Sequence, residues 1–421
     1  MWSPSTIADD RQWLAAHQLL ARSSLDPDML ASGQIEIREP GLFAMDDTSA
    51  TLRHYVQVFD VADARLLDLR YATWRLDLDS IGGWQVGASA EVPAGNEHAP
   101  SFLADGLKAD IARAVGQRAV DDAAVLGVLA GYGLAADAGE AGLVGDLYTP
   151  DTVVNIAGDH TYRGRRNMEA MIRGEFHRSL LPWAGHTMGP AMVWFDGDTA
   201  ISVHIGRTYG PPPSHPAALA DWHRGPFRYS VNRWELRRGA DGRWRVRRRD
   251  SLPVPGPHWR SVLTQAVANM GTVTQGAGSL TGPGERVRAA SSAITAAAFA
   301  MTTGTARAGC WPFTAQARLS MDGDAVEVSG SVLTERLYGR LPCAGIVPTQ
   351  PIARCQAGTT TIYDAVISYV EGESGRVEPL RIDVARWTLN HHDGQWLVGE
   401  VVIAAGDGPA AASLLTEAND G

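Results

Sequence analysis

Cysteine is almost absent from this chain: three residues in 421, Cys310, Cys343 and Cys355, all in the last third and without pair spacing or a companion histidine pattern. This excludes a disulfide framework and gives no zinc signature, so the three read as packed thiols. Long apolar runs are missing too. No segment approaches the roughly 18 uninterrupted apolar residues that cross a bilayer, and the opening MWSPSTIADDRQWLAAHQLLARS lacks a basic start followed by a sustained apolar core. No membrane partner is therefore expected, and a cytoplasmic location is. Basic charge is in deficit: 37 Lys and Arg against 47 Asp and Glu give a net charge of -10. Such a field repels a phosphate backbone, so nucleic acid is not an expected partner. Core-forming residues are plentiful, with 45% hydrophobic and 20% charged, and at about 100 to 200 residues per domain the length predicts two to four units.

A Trp, strand, turn, Trp signature recurs three times: Trp74-RLDLDSIGG-Trp84, Trp234-ELRRGADGR-Trp244 and Trp387-TLNHHDGQ-Trp396. Each reads as two period-2 strands around a turn holding Gly83, Asp241-Gly242 or Asp393-Gly394, the pattern of a hairpin. A second element precedes each one. Asp46-Asp47-TSATLRHYVQVF, Asp196-Gly197-DTAISVHIGRTYG and Asp322-Gly323-DAVEVSGSVLTERLYG read as turns that launch long alternating strands. Helical segments open the copies near 8–22, 121–138 and 284–302, so each unit is predicted as helix first, then an antiparallel meander. Gly and Pro cluster at 93–107 and most densely at 252–284, which places domains at 1–97, 105–256 and 284–408. The tail after Gly406 reads as polar and frayed.

These pieces carry a family resemblance. The middle copy has a helix ending LAGYGLAAD, then Leu147-Tyr148-Thr149-Pro150-Asp151, Tyr162-Arg163-Gly164, a short helix from Asn167 to Phe176, Gly185-His186-Thr187, the strand launched at Asp196-Gly197, and the Trp234 to Asp250 hairpin. In this order, over about 130 residues, the segment resembles the nuclear transport factor 2-like superfamily, in its SnoaL-like branch. The resemblance implies an α+β fold: tandem cone-shaped α+β barrels, each a curved antiparallel sheet wrapped over N-terminal helices around an apolar pocket. Copy one matches only from the middle strands onward, and copy three lacks a Tyr-x-x-x-x-Asp on its helix. The middle copy is thus the one equipped for chemistry.

On the middle helix, Val125, Val128, Leu129 and Tyr132 share one apolar face, and Asp137 flanks that stripe near the helix end. In SnoaL-like dehydratases and isomerases a helix Tyr and Asp, with a His at a strand start, surround the substrate. By that resemblance Tyr132, Asp137 and His186 are the catalytic candidates. An Asp beside a His forms a proton shuttle, and a Tyr hydroxyl can donate to a developing oxyanion. Each residue alone is equally at home as core, solvated helix end or strand entry. His204 alternates with Val203 and Ile205 and points either to the pocket or to solvent. His215, Trp222 and His223 sit in a long irregular insertion that reads as a lid or as a plain surface loop. By alternation Trp244, Val246 and Arg248 share a face; there Arg248 would reach an anionic substrate group, while the surrounding arginines read as a solvated outer face.

The expected function is a cofactor-independent lyase or isomerase, of dehydratase type, acting in the middle domain on a small cyclic or aromatic, largely apolar molecule. No cofactor and no metal is expected. A non-catalytic ligand-binding or assembly protein is the alternative. Epoxide-type hydrolysis is a third reading, for which Asp137 with Asn155 or Asn232 and Arg248 would gather around a water. Cones of this superfamily associate through their sheets, so the fused copies imply an internal pseudo-oligomer or a homo-oligomer.

Overall fold

The computed structural model describes residues 14–421 except 16, 20, 24, 40, 47–48, 79–83, 117–120, 158–159, 211–224, 274–282, 339–342, 350–351, 357, 373–374, 394 and 420–421. The helix expected near 8–22 lies in part outside the described residues; those described between 14 and 23 are helical. The turn at Gly83 and the insertion holding His215, Trp222 and His223 also lie outside them.

A short helix, α1 (Pro27–Ala31), leads into five strands: β1 (Gln34–Arg38), β2 (Leu42–Met45), β3 (Ser49–Asp60), β4 (Leu66–Leu78) and β5 (Trp84–Pro93). Helices α2 (Ala99–Ala104), α3 (Leu107–Gly116), α4 (Asp121–Asp137) and α5 (Ala141–Asp146) follow, then β6 (Tyr148–Ile156) and β7 (His160–Arg163), then α6 (Arg165–Arg173) and α7 (Glu175–Leu180). The second sheet is completed by β8 (Gly185–Met188), β9 (Met192–Asp196), β10 (Thr199–Tyr209), β11 (Arg228–Arg238) and β12 (Trp244–Pro253). The rest comprises α8 (Trp259–Val273), α9 (Pro283–Thr303), β13 (Phe313–Met321), β14 (Asp324–Val326), α10 (Gly330–Tyr338), β15 (Cys343–Pro348), β16 (Ile352–Gln356), β17 (Thr359–Glu371), β18 (Val377–His392), β19 (Gln395–Ala405) and α11 (Pro409–Asn419).

The fold is α+β, with three open sheets. The second has the order β7-β6-β12-β11-β10-β8 with β9 on β10, and the third repeats it as β14-β13-β19-β18-β17-β15 with β16 on β17. The first, β1-β3-β4-β5 with β2 on β3, repeats the last five strands of that plan. Most pairing is antiparallel, while β6 joins β12 and β13 joins β19 in parallel. All six signature tryptophans are buried. Each hairpin also slips by one residue at the same place: Gly87 is skipped opposite Arg75 and Leu76, Arg247 opposite Glu235 and Leu236, and Gly399 opposite Thr388 and Leu389. A bulge of this kind bends a strand and re-aims the side chains beyond it.

Several expectations are corrected. The segment after Asp322-Gly323 is not a long strand: both residues have positive φ, as a two-residue hairpin requires, but β14 stops after three residues and α10 begins at Gly330. A Cβ at Gly330 would lie 2.2 Å from the Gly304 carbonyl oxygen, so the chain turns at the one residue that fits there. The strand in question is β17, launched at Gly358 with φ 79°. The Gly/Pro-rich stretch contains α8. The tail is helical, because Ala411, Leu414, Leu415 and Ala418 form a buried face at helical spacing. The middle helix has no polar face: thirteen residues from Ala124 to Asp137 are buried. Of the cysteines only Cys343 is buried; Cys310 and Cys355 are exposed.

Two compact units result, one of Glu39–Gln57 with Asp68–Gly256, the other of Met1–Arg38, Val58–Leu67 and Pro257–Gly421. Among the described residues no helix is long and apolar enough to cross a membrane. In the second unit the alanine face of α9 lies on the β17–β19 core around Trp387, whose indole N–H donates to Asp364 at 2.9 Å. Burial pushes the Asp364 carboxyl well above the usual range. Trp387→Phe leaves that group without its donor and is expected to cost about 1–3 kcal/mol, seen as a lower thermal midpoint by circular dichroism. Adding Asp364→Leu should recover most of the loss, since the penalty is the orphaned polar group.

Candidate active site

The helix α4 carries the first two candidates. Its N-terminal turn is acidic, and Asp121 accepts from the Trp244 indole at 3.2 Å and from Arg238, which ties the helix start to the hairpin end. Small residues let the helix lie close to its neighbours. A Cβ at Gly133 would lie 2.8 Å from the His186 carbonyl oxygen, so bare backbone there allows α4 to pack on β8. That approach delivers the last residue of the helix, Asp137, to the first turn of the strand.

Asp137 is 1% exposed and makes three hydrogen bonds. Its Oδ1 lies 2.5 Å from the His186 Nδ1, and its Oδ2 accepts from the His186 backbone N–H at 2.8 Å and from the Tyr55 hydroxyl at 2.7 Å. A carboxylate on Nδ1 selects the tautomer with its proton there and leaves Nε2 as the acceptor. Nε2 has no hydrogen-bond partner among the described residues, and the ring lines the pocket. His177 stacks on His186 at 6.1 Å with its own Nε2 held by the Ala136 carbonyl at 2.8 Å. Burial, then repulsion from His186, keeps His177 below the ordinary histidine range. Tyr132, 5% exposed, stands with its ring 6.3 Å from that of His186 and 5.5 Å from that of Trp234. The structure therefore brings Tyr132, Asp137 and His186 together.

Two hollows adjoin there. The inner one, about 40 Å³, is lined by Tyr132, His186, His204, Arg207, Asn232 and Arg249 among others. The outer one, about 550 Å³, is more apolar, with Met171, Phe176, Leu180 and Phe227 in its wall. Tyr132, Ile156, His186, Thr208 and Arg228 line both. His204 faces the inner hollow, stacked on Trp234 and 1% exposed. Burial, then the charges of Arg249 and Arg207, drives its pKa down to about 3. Arg248 is not in either wall. The bulge at Arg247 reverses the alternation that would have put Arg248 beside Val246; it is exposed and bonds Asp250 at 2.8 and 3.1 Å, while Arg249 turns inward. Asn155 bonds Asp250 as well, at 2.5 Å, so the set named for hydrolysis is not gathered.

Sequence reasoning missed Tyr55, His177 and Arg249. One signal was present for Tyr55. Arg53, Tyr55 and Gln57 are alternate residues of β3, all buried, and they bond Asp110, Asp137 and Glu39. The third sheet serves as an internal comparison. Ile346 pairs with Ser368 as His186 pairs with Thr208, and its N–H donates at 3.0 Å to Thr302 Oγ1, the place Asp137 takes in the middle copy. The backbone bond remains and the acid–base pair is gone.

The depressed His204 has a stability consequence. The unfolded chain takes this proton near 6.5, whereas the folded protein refuses it down to about 3. Stability falls as pH drops through that window, by about 1.4 kcal/mol per pH unit for one proton. Urea unfolding between pH 7 and pH 4 should show a shallower loss for His204→Asn than for the wild type.

Residues 117–250 match the sequence profile of the SnoaL-like domain. No curated protein matches the chain. Among solved structures, a nuclear transport factor 2-like protein with a cystatin-like fold from Novosphingobium aromaticivorans is 32% identical over 32% of this chain and 84% of its own, with a TM-score of 0.29. A candidate ketosteroid isomerase from Shewanella frigidimarina is 17% identical over 30% of this chain and 90% of its own, TM-score 0.24. A candidate scytalone dehydratase from Novosphingobium aromaticivorans is 13% identical over 30% and 79%, TM-score 0.25. Residues 117–250 are thus a SnoaL-like domain of the nuclear transport factor 2-like superfamily.

Proposed function

We propose that the middle segment is the active site of a cofactor-independent lyase or isomerase acting on a small cyclic or aromatic molecule. The observation that carries this reading is the Asp137–His186 pair at the junction of two hollows, with Nε2 unpartnered and Tyr132 beside it. His186 Nε2 takes a proton from a carbon next to a carbonyl, and the C–H electrons move to the carbonyl oxygen. Asp137 stabilises the imidazolium so formed, and Tyr132 donates a hydrogen bond to the oxyanion. When the electrons return they expel a hydroxyl at the next carbon, to which His186 gives its proton, so that water leaves and a double bond remains. Return of the proton to another carbon gives an isomer instead.

In this reading the outer sheets are scaffolds descended from copies of the same unit. Fusion replaces subunit association: Tyr55, outside the matched segment, completes the Asp137 hydrogen bonding. The similarity to proteins called ketosteroid isomerase and scytalone dehydratase agrees with this class of chemistry.

The test follows exchange of ring α-protons of cyclic ketones into deuterium oxide by NMR, alongside ultraviolet detection of conjugated products from hydroxylated cyclic ketones. His186→Gln and Asp137→Asn are expected to lower the rate by about 10²- to 10⁴-fold while keeping the wild-type circular dichroism. Undiminished rates in both variants would refute the proposal. Ligand uptake by the wild type with neither exchange nor elimination would instead mark a binding protein.

A further inference from the structure

Arg249 is a buried cation with no counter-ion among the described residues. It is 9% exposed, and its guanidinium lies between two aromatic faces, 4.4 Å from the Tyr132 ring centroid and 4.3 Å from that of Trp234. Its Nε and Nη2 both reach the neutral Asn232 Oδ1, at 3.3 and 3.1 Å, the neutral Tyr132 and Tyr148 hydroxyls stand beside it, and its Nη1 makes no well-formed hydrogen bond among the described residues. No carboxylate pairs with it among the described residues. The other deeply buried arginines of this unit are neutralised, Arg53 by Asp110 at 2.6 Å and Arg207 by Glu39 at 2.5 Å. A desolvated, unpaired charge is costly, and cation–π contacts offset only part of the penalty.

The fold does not need this cation. Val401 occupies the corresponding place in the third sheet, opposite Trp387 as Arg249 is opposite Trp234, and Ala385 stands where Asn232 does. Only the bulge at Arg247 aims Arg249 inward. Among the described residues the hollow it faces has three arginines in its wall and no carboxylate. His204, also in that wall, is held neutral, and its Nδ1 is buried without a partner among the described residues. At about 40 Å³ the hollow has room for a few waters or one small polar group. It shares Tyr132, His186 and Thr208 with the wall of the larger apolar pocket.

Resting on the active-site reading above, we propose that the inner hollow is a carboxylate subsite and that the substrate is a small cyclic or aromatic carboxylic acid. Its carboxylate is held by Arg249 with His204 as a second donor, and its ring lies in the outer pocket against Phe176, Leu180 and Phe227. A planar guanidinium with a free edge is the side chain best matched to a carboxylate. His186, in both walls, then faces carbons near the acid group.

The test is titration calorimetry of the full chain with benzoate and with its neutral isostere benzamide. The wild type should bind benzoate about 30-fold more tightly, the range of one charge-assisted hydrogen-bond pair. Arg249→Met should lose that factor for benzoate and change benzamide affinity by less than about 3-fold, and Arg249→Lys should keep part of it. Inorganic phosphate, lacking an apolar body, should not displace benzoate at equal concentration. Benzoate carries no hydrogen on the carbon next to its carboxylate for His186 to take, so its binding reads the subsite alone, and a failed deprotonation mechanism and a failed subsite give different results. Equal wild-type affinity for benzoate and benzamide, unchanged benzoate binding in Arg249→Met, or displacement by phosphate would each overturn the proposal. If Arg249→Met does not fold, the wild-type comparison and Arg249→Lys still decide it.

Discussion

The carboxylate of Asp137 is the contact on which the site depends. One buried group takes the ring and the backbone N–H of His186 and the hydroxyl of Tyr55. A helix end, a strand start and a strand from elsewhere in the chain are fixed to each other by a single side chain. Burying a carboxylate costs several kcal/mol unless its lone pairs are filled, and here they are filled by groups that also set the histidine tautomer. The same bonds that repay the burial therefore leave Nε2 as the acceptor that the proposed base requires. Gly133 is a condition of this arrangement, because any side chain there would hold α4 away from β8.

The second constraint is the bulge that all three hairpins share. In the middle hairpin it exchanges Arg248 for Arg249 on the inner face, so that Arg249 stands opposite Trp234 in the wall while Arg248 stays exposed. The third sheet keeps the bulge and puts Val401 beyond it, and keeps the helix-to-strand bond while replacing Asp137 with Thr302 and His186 with Ile346. Comparison within one chain thus separates what the scaffold requires from what the site adds. The scaffold requires buried tryptophans, a bulge and a close helix; the pocket adds Asp137, His186, Arg249 and Asn232.

Much of this was legible because it is periodic or local. Alternation and turn residues locate the tryptophan hairpins, and the family resemblance carried by the order of the short segments points to Tyr132, Asp137 and His186. Three things were not legible, each for a physical reason. Alternation predicts faces only while the register holds, so Arg248 and Arg249 could not be told apart without the bulge. The Asp322-Gly323 turn is a true hairpin turn, but the short β14 and the steric demand at Gly330 end the strand it launches. Tyr55 acts on a residue 82 positions away, and only the polar alternation of Arg53, Tyr55 and Gln57 hinted that this face of β3 had partners to meet.

The most direct test of the central claim is the nitrogen-15 spectrum of the His186 imidazole near neutral pH, assigned by comparison with His186→Gln. A protonated Nδ1 and a bare Nε2, with the preference lost in Asp137→Asn, is the expected result. A ring protonated at Nε2 with a bare Nδ1, or a spectrum indifferent to Asp137, would contradict the account.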